Sequence, residues 1–374
     1  MTAAAATRIH IKNHEVHIVL SSSHAPYFRN SVVVMKIAFI TGITGQDGSY
    51  LSELLLQKGY KIFSMVRRTS LLYSHTRIDH IRDKLELRYG DMTDSTSLSN
   101  YIHHIIQTHP DFEVLEIYNL AAQSHVAISF DIPEYTADVD GIGVLRLLEI
   151  IRSVAESARK RIRFYQAGTS EMFGDVKETP QNENTPFNPV SPYAVAKMYG
   201  HYMTKVYREG YGLYAVNGIL FNHESKRRVE NFVTMKIVSG ITNILNGTQT
   251  CIELGNIDSK RDWGHAKDYV YGMWLMLQQE RPDDYVLASG KTYTIRHFVE
   301  KAFEHKGLVI TWSGEGYHEV GNDQHGVTRV KINPKYFRPC EVEFLLGDAT
   351  KAREKLGWTF EYDTLDKLIE EMFS

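Results

Sequence analysis

From Met35 onward the chain alternates short β-branched apolar runs with stretches whose apolar residues recur every three or four positions. Lys36–Thr41 (KIAFIT) reads as a buried strand, and residues 42–48 as a glycine turn. Residues 49–58 then read as a helix with Leu51, Leu54 and Leu55 on one face, stopped by Gly59. Further strands are expected at 61–66, 85–89, 116–119, 161–167 and 213–220, and helices at 95–107, 135–157 and 191–209. Such alternation predicts an α/β fold, a Rossmann-type doubly wound parallel sheet with helices on both faces. Past residue 222 the alternation loosens, with helices expected at 231–245, 266–279, 292–305 and 364–372. The reading is a Rossmann domain over 35–221 and a smaller mixed domain over 222–374, with elements free to cross between them.

Residues 1–34 differ from the rest. They carry one acid, Glu15, and no helical or strand periodicity beyond the short apolar run 18–20. That run is too short for a signal-peptide core, and the stretch is neither Arg-rich nor amphipathic enough for a transit peptide. A flexible N-terminal extension is the expectation.

Composition narrows the function classes. The formal net charge is −3, which gives no reason to expect nucleic acid or an anionic membrane as partner. The longest uncharged stretches, 95–110 and 237–252, are rich in Ser, Thr, Asn and Gln and cannot span a bilayer. Two cysteines cannot build a disulfide scaffold or a cysteine-held zinc site. The seventeen histidines show no ligand spacing, so no metal is expected. A soluble cytoplasmic protein fits these numbers.

Three segments can carry chemistry. Gly42, Gly45 and Gly48 lie between a strand and a leucine-faced helix, the context in which backbone N–H groups approach a dinucleotide diphosphate. A tight turn alone would need the same glycines. After the second strand, where an NAD site places an acid, this chain has Arg67, Arg68, Thr69 and Ser70. Guanidinium and hydroxyl groups suit the 2′-phosphate of NADP; a solvated basic corner or a subunit contact is the other reading. Tyr193 and Lys197 share a helical face at i and i+4, so a cation would stand beside the phenol and lower its pKa toward the range of an acid–base catalyst. Just before them, Thr169 closes the fifth strand, and Glu171 stands two residues on. Hydride transfer through Tyr and Thr needs no carboxylate. Glu171 therefore suggests a second proton transfer, abstraction beside a ketone, unless it is only a helix-start carboxylate.

Longer segments carry a resemblance. GITGQDGSYL at 42–51, RRTS at 67–70, YGDMTDS at 89–95 and IYNLAAQSHV at 117–126 are followed by EYTADVDG at 134–141 and FYQAGTSEMFG at 164–174. SPYAVAK at 191–197, VNGILFNHES at 216–225 and LGNIDSKRDWGHAKDYV at 254–270 complete the set. With these the chain resembles the GDP-mannose 4,6-dehydratase family of extended short-chain dehydrogenase/reductases over more than nine-tenths of its length, from about Met35 to the C-terminus.

The resemblance implies a lyase that converts GDP-mannose to GDP-4-keto-6-deoxymannose and water in GDP-deoxyhexose synthesis. Thr169, Glu171 and Tyr193 would be catalytic, with Lys197 beside them. NADP would be held by Gly42, Ile43, Thr44, Gly45, Gln46, Asp47, Arg67, Arg68, Thr69, Ser70, Asp91, Met92, Leu120, Ala121, Ala122, Gln123, Ser124, Tyr135, Tyr193, Lys197, His223 and Arg228. The sugar nucleotide would meet Ser124, Glu171, Asn222, Lys236, Arg261, Arg338 and Glu341. A homotetramer built from dimers is also implied. Three positions depart from the family pattern: Gly168 in place of Ser, Lys226 in place of Pro, and Met235 in place of a basic residue. A sugar-nucleotide 4-epimerase or 4-reductase, or a non-catalytic NADP-binding sensor, are the competing functions.

Overall fold

The computed structural model describes residues 11–12, 15–16, 35–70, 76–337 and 339–374. It divides into two units, 1–34 and 35–374. In the first, Ile11–Lys12 pairs antiparallel with Glu15–Val16; the rest of the expected extension lies outside the described residues.

The second unit is built on seven parallel strands. Their order is Asp284–Leu287, Tyr214–Leu220, Ile162–Ala167, Val114–Asn119, Lys36–Thr41, Lys61–Val66 and Leu85–Tyr89. Lys36–Thr41 and its two neighbours are buried almost throughout, because helices cover both faces. On one face Leu51 and Leu55 pack with Met273, Leu277 and Trp358. On the other, Leu98, Ile102 and Ile105 pack with Leu147, Leu148 and Ile151. The chain first winds outward from Lys36–Thr41 to Leu85–Tyr89, then returns to the other side of Lys36–Thr41 at Val114–Asn119. This reversal opens a crevice beyond Thr41 and Asn119, the place where such sheets bind ligands.

The second half of the chain is tied to this sheet. Asp284–Leu287 pairs in parallel with Tyr214–Leu220. Asn222–Glu224, two residues past that strand, joins Lys260–His265 and Thr292–Thr294 in a small sheet. A four-stranded sheet and a third apolar cluster, including Ile237, Ile241, Phe298, Phe303 and Leu368, complete this part. Among the described residues no helix is long and apolar enough to cross a membrane.

Two expected helices are interrupted. The segment 135–157 becomes Pro133–Ala137, a π-helical turn at Asp138–Ile142 and Gly143–Ser153, and it ends where Val154 is extended (ψ 158°). Thr292–Thr294, read as the start of a helix, pairs instead with Lys260–Asp262. The Thr294 side chain then caps Ile295–His305 by accepting from His297 N–H at 3.0 Å.

Candidate active site

The crevice is held by its first strand. Thr41 Oγ1 donates to Asn119 Oδ1 at 2.7 Å and accepts the Leu120 and Ala121 N–H groups at 3.1 Å each. Asn119 passes a 2.8 Å hydrogen bond on to Gln166, so three adjacent strand ends are stitched by side chains. The turn above them needs glycine. Gly42 has φ +75°, and a Cβ there would lie 2.8 Å from Ala121 N. At Gly48 a Cβ would meet Gly42 O at 2.4 Å. Where Gln46–Gln57 starts, no side chain caps its first turn, and Gly45, Gln46, Asp47 and Gly48 there line the cleft.

A cleft lined by Gly42, Gly45, Gln46, Asp47, Leu120, Ala122, Ser124, Thr169, Tyr193, Lys197, Asn222, His223 and Arg228 lies beyond this turn. Twelve of the residues expected at the cofactor and substrate are thus brought together with Thr169, expected to be catalytic. Asp47 and His223 meet at 2.7 Å. His223 Nδ1 faces Phe221 O at 2.8 Å while Nε2 faces the Asp47 carboxylate. Both ring nitrogens confront pure acceptors, an arrangement that favours the imidazolium. Burial opposes each charge, yet the ion pair holds Asp47 below and His223 above the usual range.

Of the four residues expected to be catalytic, Thr169, Tyr193 and Lys197 line this cleft, and Glu171 lies next to Thr169. Gly168 N–H donates to Gly218 O at 2.7 Å, which sets the strand end before Thr169. Thr169 Oγ1 accepts from Glu171 N–H at 3.2 Å and opens the short turn Ser170–Met172. Ser191, whose Oγ accepts Ala194 N–H at 3.1 Å, and Pro192 start the helix Pro192–Tyr211. That places Tyr193 in its first turn and Lys197 one turn on. Lys197 Nζ donates to Ala167 O at 3.2 Å and lies 5.8 Å from the Tyr193 ring centre. Thr169, Glu171, Tyr193 and Lys197 are all buried.

The expected lowering of the phenol pKa is overturned. Burial raises Tyr193, and Asp140 and Glu171 add to the rise; the hydrogen bond from Thr169 and the charge of Arg228 only partly oppose it. Lys197 is itself lowered by burial, against the pull of Asp140 and Asp47. Desolvation outweighs the i, i+4 arrangement that the sequence displays.

The other expected residues fall in three places. Arg67–Ser70 follows the second strand; Arg67 donates to the Tyr135 hydroxyl at 2.9 Å, and Arg68 turns back to the Thr69 carbonyl. Asp91 accepts from Thr93 within its own turn, Met92 packs in the core beside Gly143, and Gln123 N–H donates to Asp140. The Ile43 side chain is wholly buried in the core, which leaves only backbone from Ile43 to face a ligand. Thr44 belongs to the same turn, and its carbonyl faces Arg77; Ala121 is fixed through its N–H to Thr41. Arg228 pairs with Glu224 at 3.1 Å. Lys236 lies 3.3 Å from the Tyr336 ring centre, and Arg261 pairs with Glu341 at 2.9 Å. Arg338 lies outside the described residues.

The departures from the family pattern have local reasons. A Cβ at Gly168 would sit 2.7 Å from Gly218 O, and one at Gly218 would strike the Tyr165 hydroxyl. Gly168, Gly218 and Tyr165 therefore form a packed set. Lys226 N–H donates to Glu371 at 3.1 Å, a bond proline cannot make. Met235 is buried with Ile237 and Ile241 in the third cluster. Sequence reading missed Phe232 and Val229 on the cleft wall and the buried Asp140 behind it. An acid inside an apolar helical stretch was the available signal for Asp140.

Comparison with known proteins agrees with this geometry. The family model described as GDP-mannose 4,6 dehydratase matches residues 39–372. GDP-mannose 4,6 dehydratase of Drosophila melanogaster is 54% identical over 90% of this chain and 85% of its own length. GDP-mannose 4,6 dehydratase 2 of Caenorhabditis elegans is 53% identical over 90% and 88%. The dTDP-glucose 4,6-dehydratase structure from Bacillus anthracis, solved with NAD, is only 21% identical but covers 90% of this chain and 95% of its own at a TM-score of 0.70, a likeness of fold. The match over residues 39–372 and identities above 50% across nine-tenths of the sequence show that this chain belongs to the GDP-mannose 4,6-dehydratase family.

Proposed function

We propose that the protein converts GDP-mannose to GDP-4-keto-6-deoxymannose and water, with Tyr193, Thr169, Lys197 and Glu171 moving the protons. The observation that carries this reading is the buried Glu171, whose N–H donates to Thr169 and whose carboxylate charge acts on Tyr193, next to the Tyr–Lys pair that lines the cleft beyond the glycine turn. The fit for a dinucleotide rests on that turn: a Cβ at Gly42 or Gly48 would fill it, and the helix behind leaves its first N–H groups uncapped. Gly42–Asp47, Leu120–Ser124, His223 and Arg228 would hold a nicotinamide cofactor, and Arg67–Ser70 would make it NADP. When bound, that cofactor supplies the hydride acceptor for C4 and the donor for C6.

The chain's own residues handle the protons. Tyr193 as phenolate takes the C4 hydroxyl proton, and Thr169 steadies the phenolate by donating to it. Lys197 favours phenolate by its charge. The C4 ketone acidifies C5–H; Glu171 removes that proton and passes it to the departing C6 hydroxyl, which leaves as water, and the proton Tyr193 took from the C4 hydroxyl balances the one later added to C5. Asn222, whose buried Oδ1 has no partner among the described residues, would bind the sugar nucleotide together with Ser124. Lys236, Arg261, Arg338 and Glu341 are proposed for its diphosphate and guanine; for Arg261 and Glu341 this requires opening their mutual ion pair. A cytoplasmic setting accords with such a substrate.

Exposed apolar residues support the oligomer. Val195, Tyr199, Tyr202 and Val206, 38–50% exposed, form a stripe along Pro192–Tyr211, beside an apolar groove lined by Pro133 and Ile142. We assign this face to a second copy of the chain, two such dimers forming a tetramer. Light scattering at micromolar concentration should return the tetramer, and Tyr202→Asp with Val206→Asp should halve the mass or more; a wild-type monomer refutes the assignment.

Calorimetry should find NADP⁺ bound more tightly than NAD⁺, and Arg68→Glu should weaken NADP⁺ roughly tenfold or more while sparing NAD⁺. Equal affinities in the wild type refute the NADP assignment.

Tyr193→Phe should leave NADP⁺ unreduced after GDP-mannose is added. Glu171→Gln should still oxidise C4 but slow dehydration about 10²–10⁴-fold and exchange little solvent deuterium into C5. Near wild-type dehydration by Glu171→Gln removes it from the mechanism. A C4 epimer as product would favour the epimerase reading, and no product the sensor.

A further inference from the structure

Asp140 is the buried acid that this mechanism leaves unused. Its residue is 1% exposed and sits in the π-helical turn Asp138–Ile142, a distortion often found at functional sites. Oδ1 accepts the Gln123 N–H at 2.7 Å; Oδ2 is buried with no hydrogen-bond partner among the described residues. The turn lies close against the Tyr193 helix because small residues face each other. A Cβ on Gly141 would be 3.4 Å from Ala196 O, and one on Gly200 would be 3.3 Å from Asp140 O. Lys197 stands on the helix between these two contacts.

Lys197 needs an anion. Its ammonium is buried and is held by the Ala167 carbonyl, and a buried cation without a counter-charge sheds its proton. Two carboxylates act on it, Asp140 and Asp47. Asp47 is already engaged by the His223 imidazolium at 2.7 Å. Asp138, the other acid of the turn, is paired with Arg146 at 2.7 Å, and Tyr135 from the preceding helix with Arg67. The titratable groups acting on Asp140 are therefore Lys197 and Tyr193, both from the one helix packed against it.

We propose that Asp140 is a positioning residue, the buried counter-charge that keeps Lys197 an ammonium beside the Tyr193 phenol. It acts through Lys197 and does not touch substrate. The catalytic part of this rests on the acid–base reading of Tyr193 and Lys197; the electrostatic part does not. Burial pushes the Asp140 carboxyl up to about 6, against the charge of Lys197 and the Gln123 N–H. Protonation there switches the counter-charge off.

The test reads Lys197 directly. Full-length protein carrying [¹³Cε]lysine is titrated by NMR, with the Lys197 signal assigned by its loss in Lys197→Arg. Asp140→Asn keeps the acceptor for Gln123 N–H but removes the charge, and should lower the Lys197 pKa by about 1–3 units; Asp140→Glu should restore much of it. In the wild type the Lys197 signal should also shift near pH 6, as Asp140 takes up its proton; this second readout needs no variant to fold. An unchanged Lys197 pKa in Asp140→Asn, or no shift near pH 6 in the wild type, overturns the proposal. In turnover, the alkaline fall of kcat should move to lower pH in Asp140→Asn with KM within about twofold. A wild type that makes no product would defeat the functional reading and leave the NMR result to decide for Asp140.

Discussion

Everything in the cleft depends on how the strands ending at Thr41 and Asn119 are held where the chain reverses its winding. At that reversal backbone N–H groups just past a strand end are satisfied by a side chain. One hydroxyl, Thr41, satisfies two backbone donors and links two strands, and Asn119 extends the link to a third. This stitching sets the floor on which the glycine turn rests. The close approach at Gly42 and Gly48 follows from it, as does the location of Thr169 at the end of the next strand.

The second constraint is charge. The cleft brings Lys197, His223 and Arg228 together with Asp47, and Asp140, Glu171 and Glu224 lie buried behind its wall. Each buried ion is tolerable only with a partner. His223 takes Asp47 and Arg228 takes Glu224; Lys197 is left with Asp140. Burial resists ionisation of the Tyr193 phenol, and the carboxylates of Asp140 and Glu171 resist it further. A positive charge brought by an oxidised nicotinamide ring would act in the opposite sense. The protein groups around Tyr193 themselves favour the neutral phenol.

Much of this was legible in the sequence because the informative signals are local. Apolar periodicity located six of the seven central strands, since buried parallel strands read as continuous β-branched runs. The glycine spacing, Tyr193 and Lys197, and Glu171 two residues past Thr169 were visible for the same reason. What failed depends on distant partners. The edge strand Asp284–Leu287 is only four residues long and is fixed by Arg208, whose guanidinium holds Asp284. The break at Asp138–Ile142 comes from packing on the Tyr193 helix. The direction of the Tyr193 shift was misread because i, i+4 spacing reveals a neighbour but not the dielectric around it. The pairing of Arg261 with Glu341 joins residues eighty positions apart.

The central claim is that one cleft moves a hydride within one sugar while Glu171 governs loss of water. Its most direct test follows GDP-mannose deuterated at C4 through the wild-type enzyme with NADP⁺, using mass spectrometry and NMR of the product. The account requires a product lighter by one water, with the deuterium at C6 and no net accumulation of NADPH. Deuterium retained at C4, or lost to free cofactor with no loss of water, would contradict it.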